Sequence, residues 1–152
     1  MSLSSDIEKK RPTEPSGVER LARYLHGVAN LPENTAEKVR ICLLDTLGCG
    51  IYGASTPEGA SILRTLCELN GGDVVIWGTD RKAGVDGAVF ACGALCHLRE
   101  LDDVHFAILH TGTVCVPAAM AVGQKQNATL GQILRSIVCG VEAMVRISLG
   151  MD

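Results

Sequence analysis

The chain has 152 residues, of which 47% are hydrophobic and only 3% aromatic, and its formal net charge is −3. That length allows one domain with a real core. The slight acidity leaves no electrostatic footprint for nucleic acid and no attraction to an anionic membrane surface. No apolar run approaches the roughly 18 residues that a membrane span needs.

A core so poor in rings is built from Ala, Val, Ile, Leu and Cys, and the 17 glycines let backbones approach closely. This mix favours packed helices, and the expected fold class is all-α with at most one short strand. Residues 1–17, MSLSSDIEKKRPTEPSG, are polar and have no apolar segment, so they do not form a secretory signal. They are expected to be a disordered lead-in to a single helical domain over 18–152.

The first helix is expected from about Val18 to Val28, opened by Ser16 or Gly17. The second follows LPENT, with Asn34 or Thr35 as N-cap. Its apolar stripe is Val39, Cys42, Leu43, Leu47 and Ile51, and Asp45 among them needs a partner if buried. Pro57 suits the first turn of a third helix, which Asn70, Gly71 and Gly72 end. Val74 to Trp77 is the one plausible strand, stopped by Gly78, and it needs an edge or a small pairing.

From Ala83 to Cys96 only Asp86 is polar, which predicts a helix buried on every side and ending near Leu101. A further helix is expected from near Pro117 to about Gln124, and a last one after Thr129 as cap. The seven cysteines are odd in number and form no CxxC pair. Buried free thiols in a reducing cytosol explain them best. A zinc site at Cys92 and Cys96, with His97 adjacent, is the sharper alternative, but it lacks a second ligand pair of suitable spacing.

The chemistry gathers in ELDDVHFAILHTGT, residues 100–113. Placed at a helix C-terminus, Glu100, Asp102 and Asp103 oppose the helix dipole, and such a break of a local rule often marks a functional site. The bland reading is a solvated acidic turn. The next helix is expected to begin just after HTGT, where Thr111 or Thr113 can cap it and Gly112 lets a ligand reach the backbone. That end is a seat for a carboxylate or phosphate, with Thr111, Gly112 and Thr113 as candidate substrate contacts. The alternative is an ordinary capped helix with His110 as a surface residue.

His105 and His110 can move protons near neutral pH, with Asp102 and Asp103 close enough in sequence to orient an imidazole. The set suggests proton abstraction beside a carboxylate, with Glu100, Asp102, Asp103, His105 and His110 as candidate catalytic residues. His97 is expected to be a satisfied core histidine, and His26 a surface residue at a helix end. GCG at Gly48–Gly50 is not a dinucleotide loop, and the chain contains no GxSxG, P-loop or HExxH pattern.

The run GAVFACGALCHLRELDDVHFAILHTGTVCVPAAMAVGQ resembles the MmgE/PrpD family, as do AEKVRICLLDTLGCGIYG before it and LGQILRSIVCGVEAMVRISLG after it. That family includes 2-methylcitrate dehydratase, cis-aconitate decarboxylase and iminodisuccinate epimerase. The resemblance implies a helical N-terminal domain, a cytoplasmic homodimer, catalysis without metal or other cofactor, and small di- or tricarboxylate substrates. It matches Glu100 to an acidic site residue, Asp102 and Asp103 to paired acids, and His110 to the histidine of the turn.

Two positions depart from the pattern. Val104 stands where dehydratase and decarboxylase members carry a threonine, and Cys92 where asparagine is usual. The resemblance also implies a longer parent, whose second domain closes over the site with further histidine and lysine groups. The expectation is thus the N-terminal part of a lyase or isomerase. The alternative is a truncated, inactive helical module that dimerises or pairs with a separate C-terminal partner.

Overall fold

A computed structural model describes residues 14–66, 71–106 and 109–150. Six helices and one two-stranded ribbon make up the order α1 (Gly17–His26), α2 (Glu33–Ala54), α3 (Pro57–Leu66), β1 (Val74–Val75), β2 (Lys82–Ala83), α4 (Val85–His97), α5 (Thr111–Lys125) and α6 (Leu130–Leu149). The fold is all-α in class, as composition implies. Most of the lead-in, with Cys67, Asn70, Ala107 and Ile108, lies outside the described residues.

Local signals explain several boundaries. Ser16 accepts from the Glu19 N–H while Glu19 returns a bond to the Ser16 N–H, a capping box that starts α1. Thr129 and Gln132 repeat the device on α6. The second helix starts earlier than expected. Its N-cap is Pro32, which has no side-chain bond to give, and Asn34 and Thr35 lie inside the first turn.

The core has two parts. One gathers Leu63, Val74, Ile76, Ala88, Ala91, Cys92 and Leu95 around α4. The other gathers Val39, Leu43, Cys115, Val116, Leu134 and Ile137 between α2, α5 and α6. Trp77, partly buried, packs against both. Helix α4 packs on α2 and α5, and α5 packs on α6. The α2–α4 contact is close because Gly53 lies against the Leu95 carbonyl, where any Cβ would overlap it.

Several expectations need correction. Ile51 does not extend the buried stripe of α2: it is exposed, and the buried line runs through Thr46, Gly50 and Gly53 instead. Asp45 is exposed, so the condition for a buried partner does not arise. The strand is only two residues long and pairs antiparallel with Lys82–Ala83, so there are two strands where one was expected. Gly78, at φ 71°, makes the turn between them.

Ala83 therefore belongs to the ribbon, and α4 is not buried all round. Phe90 is 64% exposed, because α4 has neighbours on α2, α3 and α5 but none over that face. Helix α5 runs through Pro117 rather than starting near it. The ring sits fully buried, and its missing N–H leaves the Thr113 carbonyl without an i+4 donor. Among the described residues no helix is long and apolar enough to cross a membrane.

Candidate active site

The site is the loop that joins α4 to α5. Helix α4 stops at His97, four residues before the expected end, and Glu100 then takes φ 49°, a left-handed conformation unusual for a side chain with a Cβ. Its N–H donates to the His97 carbonyl at 3.0 Å and closes the turn. The acids are therefore not on a helix C-terminus. They lie in the loop that leads to the positive end of α5, where carboxylates are favoured.

Asp102 and Asp103 have opposite duties. The Asp102 side chain is fully buried. Its Oδ1 lies 3.1 Å from His97 Nδ1, and its Oδ2 lies 3.0 Å from His110 Nδ1. An ionised carboxylate only accepts, so both imidazoles donate from Nδ1. The opposite nitrogens, Nε2, then carry lone pairs and face away from Asp102. The two rings meet edge to face, 4.5 Å between centroids.

Asp103 caps α5. Its Oδ2 accepts from Thr111 Oγ1 at 2.7 Å, and its Oδ1 accepts from the Gly112 N–H at 2.8 Å. A side chain at position 112 would overlap Asp103 Oδ1 and stand 2.6 Å from Thr46 Oγ1, so the cap requires glycine. His110 occupies the N-cap position but makes no side-chain capping bond. The seat expected for an external anion at this helix tip is taken in large part by the protein's own Asp103. Thr113 turns inward and donates to the Gly93 carbonyl at 2.9 Å.

His97 corrects one expectation. It is not a core histidine, since its side chain is 45% exposed, against 31% for His110. The two rings stand on an open face of the molecule. A cleft of about 220 Å³ touches Thr111, but Lys38 and Glu142 help to wall it and neither imidazole does. His105 pairs through its backbone with Leu109, and its ring lies 4.2 Å from Phe106. The imidazoles on Asp102 are thus His97 and His110. Glu100 and Val104 are exposed, and His26 is exposed at the end of α1 as expected.

His97 was the residue missed by sequence reasoning. The available signal was its place in the last turn of a helix, five residues before an aspartate, where a chain reversal can bring the two together.

Behind the acids lie thiols rather than nucleophiles. Six cysteines among the described residues are free, and Cys92, Cys96 and Cys115 are buried. Burial pushes the Cys96 thiol up to about 12, with help from the charges around it, and the Cys115 thiol up to about 11. Burial, then the charge of Asp103, also raises Cys42. All three stay protonated near neutral pH. Cys96 donates to the Thr46 carbonyl at 3.3 Å.

Only one cation stands next to the acids in the chain. Arg99 is held by Glu58 of α3 at 2.8 Å, which ties the loop to the body of the domain. Among the described residues, His97, Asp102 and His110 are the one group of histidine, cysteine and acid side chains arranged to hold a metal ion.

The MmgE/PrpD N-terminal domain model matches residues 19–152. The chain belongs to the MmgE/PrpD family. No curated protein and no solved structure matches it. In this MmgE/PrpD domain the matched span contains both helices that frame the site and all of the loop between them. Membership of this family of dehydratases and other lyases fits a site made of an imidazole and a carboxylate.

Proposed function

We propose that this domain supplies the base-bearing part of a lyase or isomerase that removes a proton beside a carboxylate in a small di- or tricarboxylic acid. One observation carries the reading: a fully buried carboxylate, Asp102, holds His110 Nδ1 at 3.0 Å. That bond fixes the tautomer and turns the basic Nε2 away from the carboxylate. It also stabilises the imidazolium formed when Nε2 takes a proton, the role a carboxylate plays behind a catalytic histidine.

Asp103, Thr111 and Gly112 hold the α5 tip that carries His110, and Thr113 ties that turn to α4. Glu100 and His105 flank the ring in sequence and complete the candidate set with Asp103. A substrate with several carboxylates needs cations, and Arg99 is engaged with Glu58. The resemblance assigns such cations to a second domain of longer members. Val104 offers no hydroxyl where dehydratases and decarboxylases have one, which favours an epimerase-like or an uncharacterised branch over those two activities. A reducing cytoplasm suits the free thiols, and the exposed apolar line Ile41, Leu44 and Ile51 on α2 suits a homodimer.

The test is hydrogen exchange. A protein that carries this domain together with the cation-bearing second domain is incubated in heavy water with a panel of di- and tricarboxylates. The reading expects deuterium to enter a C–H bond beside a carboxylate in at least one of them. No exchange in any, with the protein folded, contradicts it.

A second reading has its own support. The open site and the exposed apolar line on α2 also suit a non-catalytic helical module that dimerises or pairs with a separate partner. A stable oligomer in light scattering whose melting temperature no carboxylate shifts favours this module. A bound ligand instead adds about 2.7 kcal/mol at a hundredfold excess over its dissociation constant.

A further inference from the structure

The buried carboxylate between two rings has a second chemical meaning. Asp102 has no lysine or arginine beside it in the ion pairs of the described residues: its partners are His97 and His110. With neutral imidazoles the group keeps a full negative charge, buried, and Asp103 stands next to it in the chain. A buried anion is costly unless positive charge or strong donors compensate it. One small cation placed among the three side chains would satisfy all of them at once.

We propose that His97 Nδ1, Asp102 and His110 Nδ1 form a binding site for a divalent transition-metal cation of the zinc type. Three observations support the assignment. The ligand atoms all lie within 4.8 Å of one another. The nitrogen-to-oxygen separations are 3.1 and 3.0 Å. Two tetrahedral ligands at about 2.1 Å from zinc sit roughly 3.4 Å apart, so small side-chain movements admit the ion. Both rings are also partly exposed, which gives the ion an entry path and leaves its remaining position to water.

Two imidazoles with one carboxylate select zinc, cobalt or nickel over calcium and magnesium, which prefer all-oxygen sites. Binding conserves protons. Each imidazole gives up its Nδ1 proton, regains one at Nε2 through solvent, and offers the Nδ1 lone pair to the metal. His110 Nε2 then has no lone pair for a substrate proton. On the proposed function, from which this last step follows, the cation is therefore an inhibitor and not a cofactor.

The experiment is a titration of the protein with cobalt(II) and zinc(II), read by visible absorption and calorimetry. Cobalt should give the intense visible band of a four-coordinate complex, without a strong thiolate charge-transfer band. His97→Gln and His110→Gln keep a hydrogen-bond donor for Asp102 but remove a ligand. Each should weaken binding at least tenfold while the helical circular-dichroism signal stays unchanged. His26→Gln should leave binding as it was.

Absence of binding to the wild type overturns the proposal. So does binding that survives both substitutions, or that shows thiolate ligation. These outcomes do not depend on activity. Metal binding without any carbon–hydrogen exchange would refute the proposed function and leave the site standing, and exchange without metal binding would do the reverse.

Discussion

The two sides of the α4–α5 loop use the same side chain for different ends. Asp103 faces the α5 tip, where it bonds Thr111 and Gly112. Asp102, the residue before it, faces the two imidazoles. The first bond set serves the fold, because it satisfies helix donors. The second fixes which nitrogen of each ring is free, and on the proposed function that serves chemistry. Neighbouring residues with one functional group thus separate structure from reactivity, and substitutions should separate them too.

The largest effect is expected on the imidazole side. His110→Ala should lower carbon–hydrogen exchange by about 10²–10⁴, with helicity retained. Asp102→Asn should also lower exchange steeply, because an amide that donates to a ring nitrogen imposes the opposite tautomer. Equal exchange in His110→Ala and wild type would remove the base from the account.

On the other side the loss should appear in stability. Asp103→Ala removes an acceptor from the Gly112 N–H and the Thr111 hydroxyl, and should cost about 1–2 kcal/mol in urea denaturation. Asp103→Asn keeps an acceptor and should cost less. If Asp103→Ala proved neutral, the division of labour between the two acids would fail.

The thiols behind the loop give a pH effect. Folding raises Cys96 from 9.0 to about 12 and Cys115 to about 11. The folded state therefore holds these protons more tightly than the unfolded chain. Their contribution is complete below pH 9 and is lost as pH climbs through 11 to 12. Melting temperature should fall over that window, and Cys115→Ala should flatten part of the fall.

The smallest effect belongs to the exposed tie between Arg99 and Glu58. Arg99→Ala should change stability by no more than about 1 kcal/mol, and less in high salt, as denaturation at two ionic strengths will show.

Much of this was legible in the sequence, for physical reasons. Helical periodicity and low aromatic content announced an all-α domain, and Ser16 (or Gly17) and Thr129 were legible as the openers of the first and last helices. An acid–imidazole pairing was legible in the closeness of Asp102 and Asp103 to His105 and His110, but which acid meets which ring was not. What stayed hidden depended on tertiary placement. His97 looked like a core residue because the helix around it is apolar, yet it ends that helix at the surface.

Pro117 looked like a helix start because proline is cheap there. The real start is earlier, fixed by a cap that Asp103 sends from eight residues before Thr111. Phe90 and Ile51 continue apolar patterns onto faces that no neighbour in the described structure covers.

The most direct test reads the rings themselves. Two-bond proton–nitrogen correlation spectra of the protein, recorded where the imidazoles are neutral, distinguish the tautomers of each histidine. The account predicts that His97 and His110 both carry the proton on Nδ1, and that Asp102→Asn shifts at least one of them to Nε2. A wild-type spectrum with the His110 proton on Nε2 would contradict the claim that Asp102 holds this ring as a base.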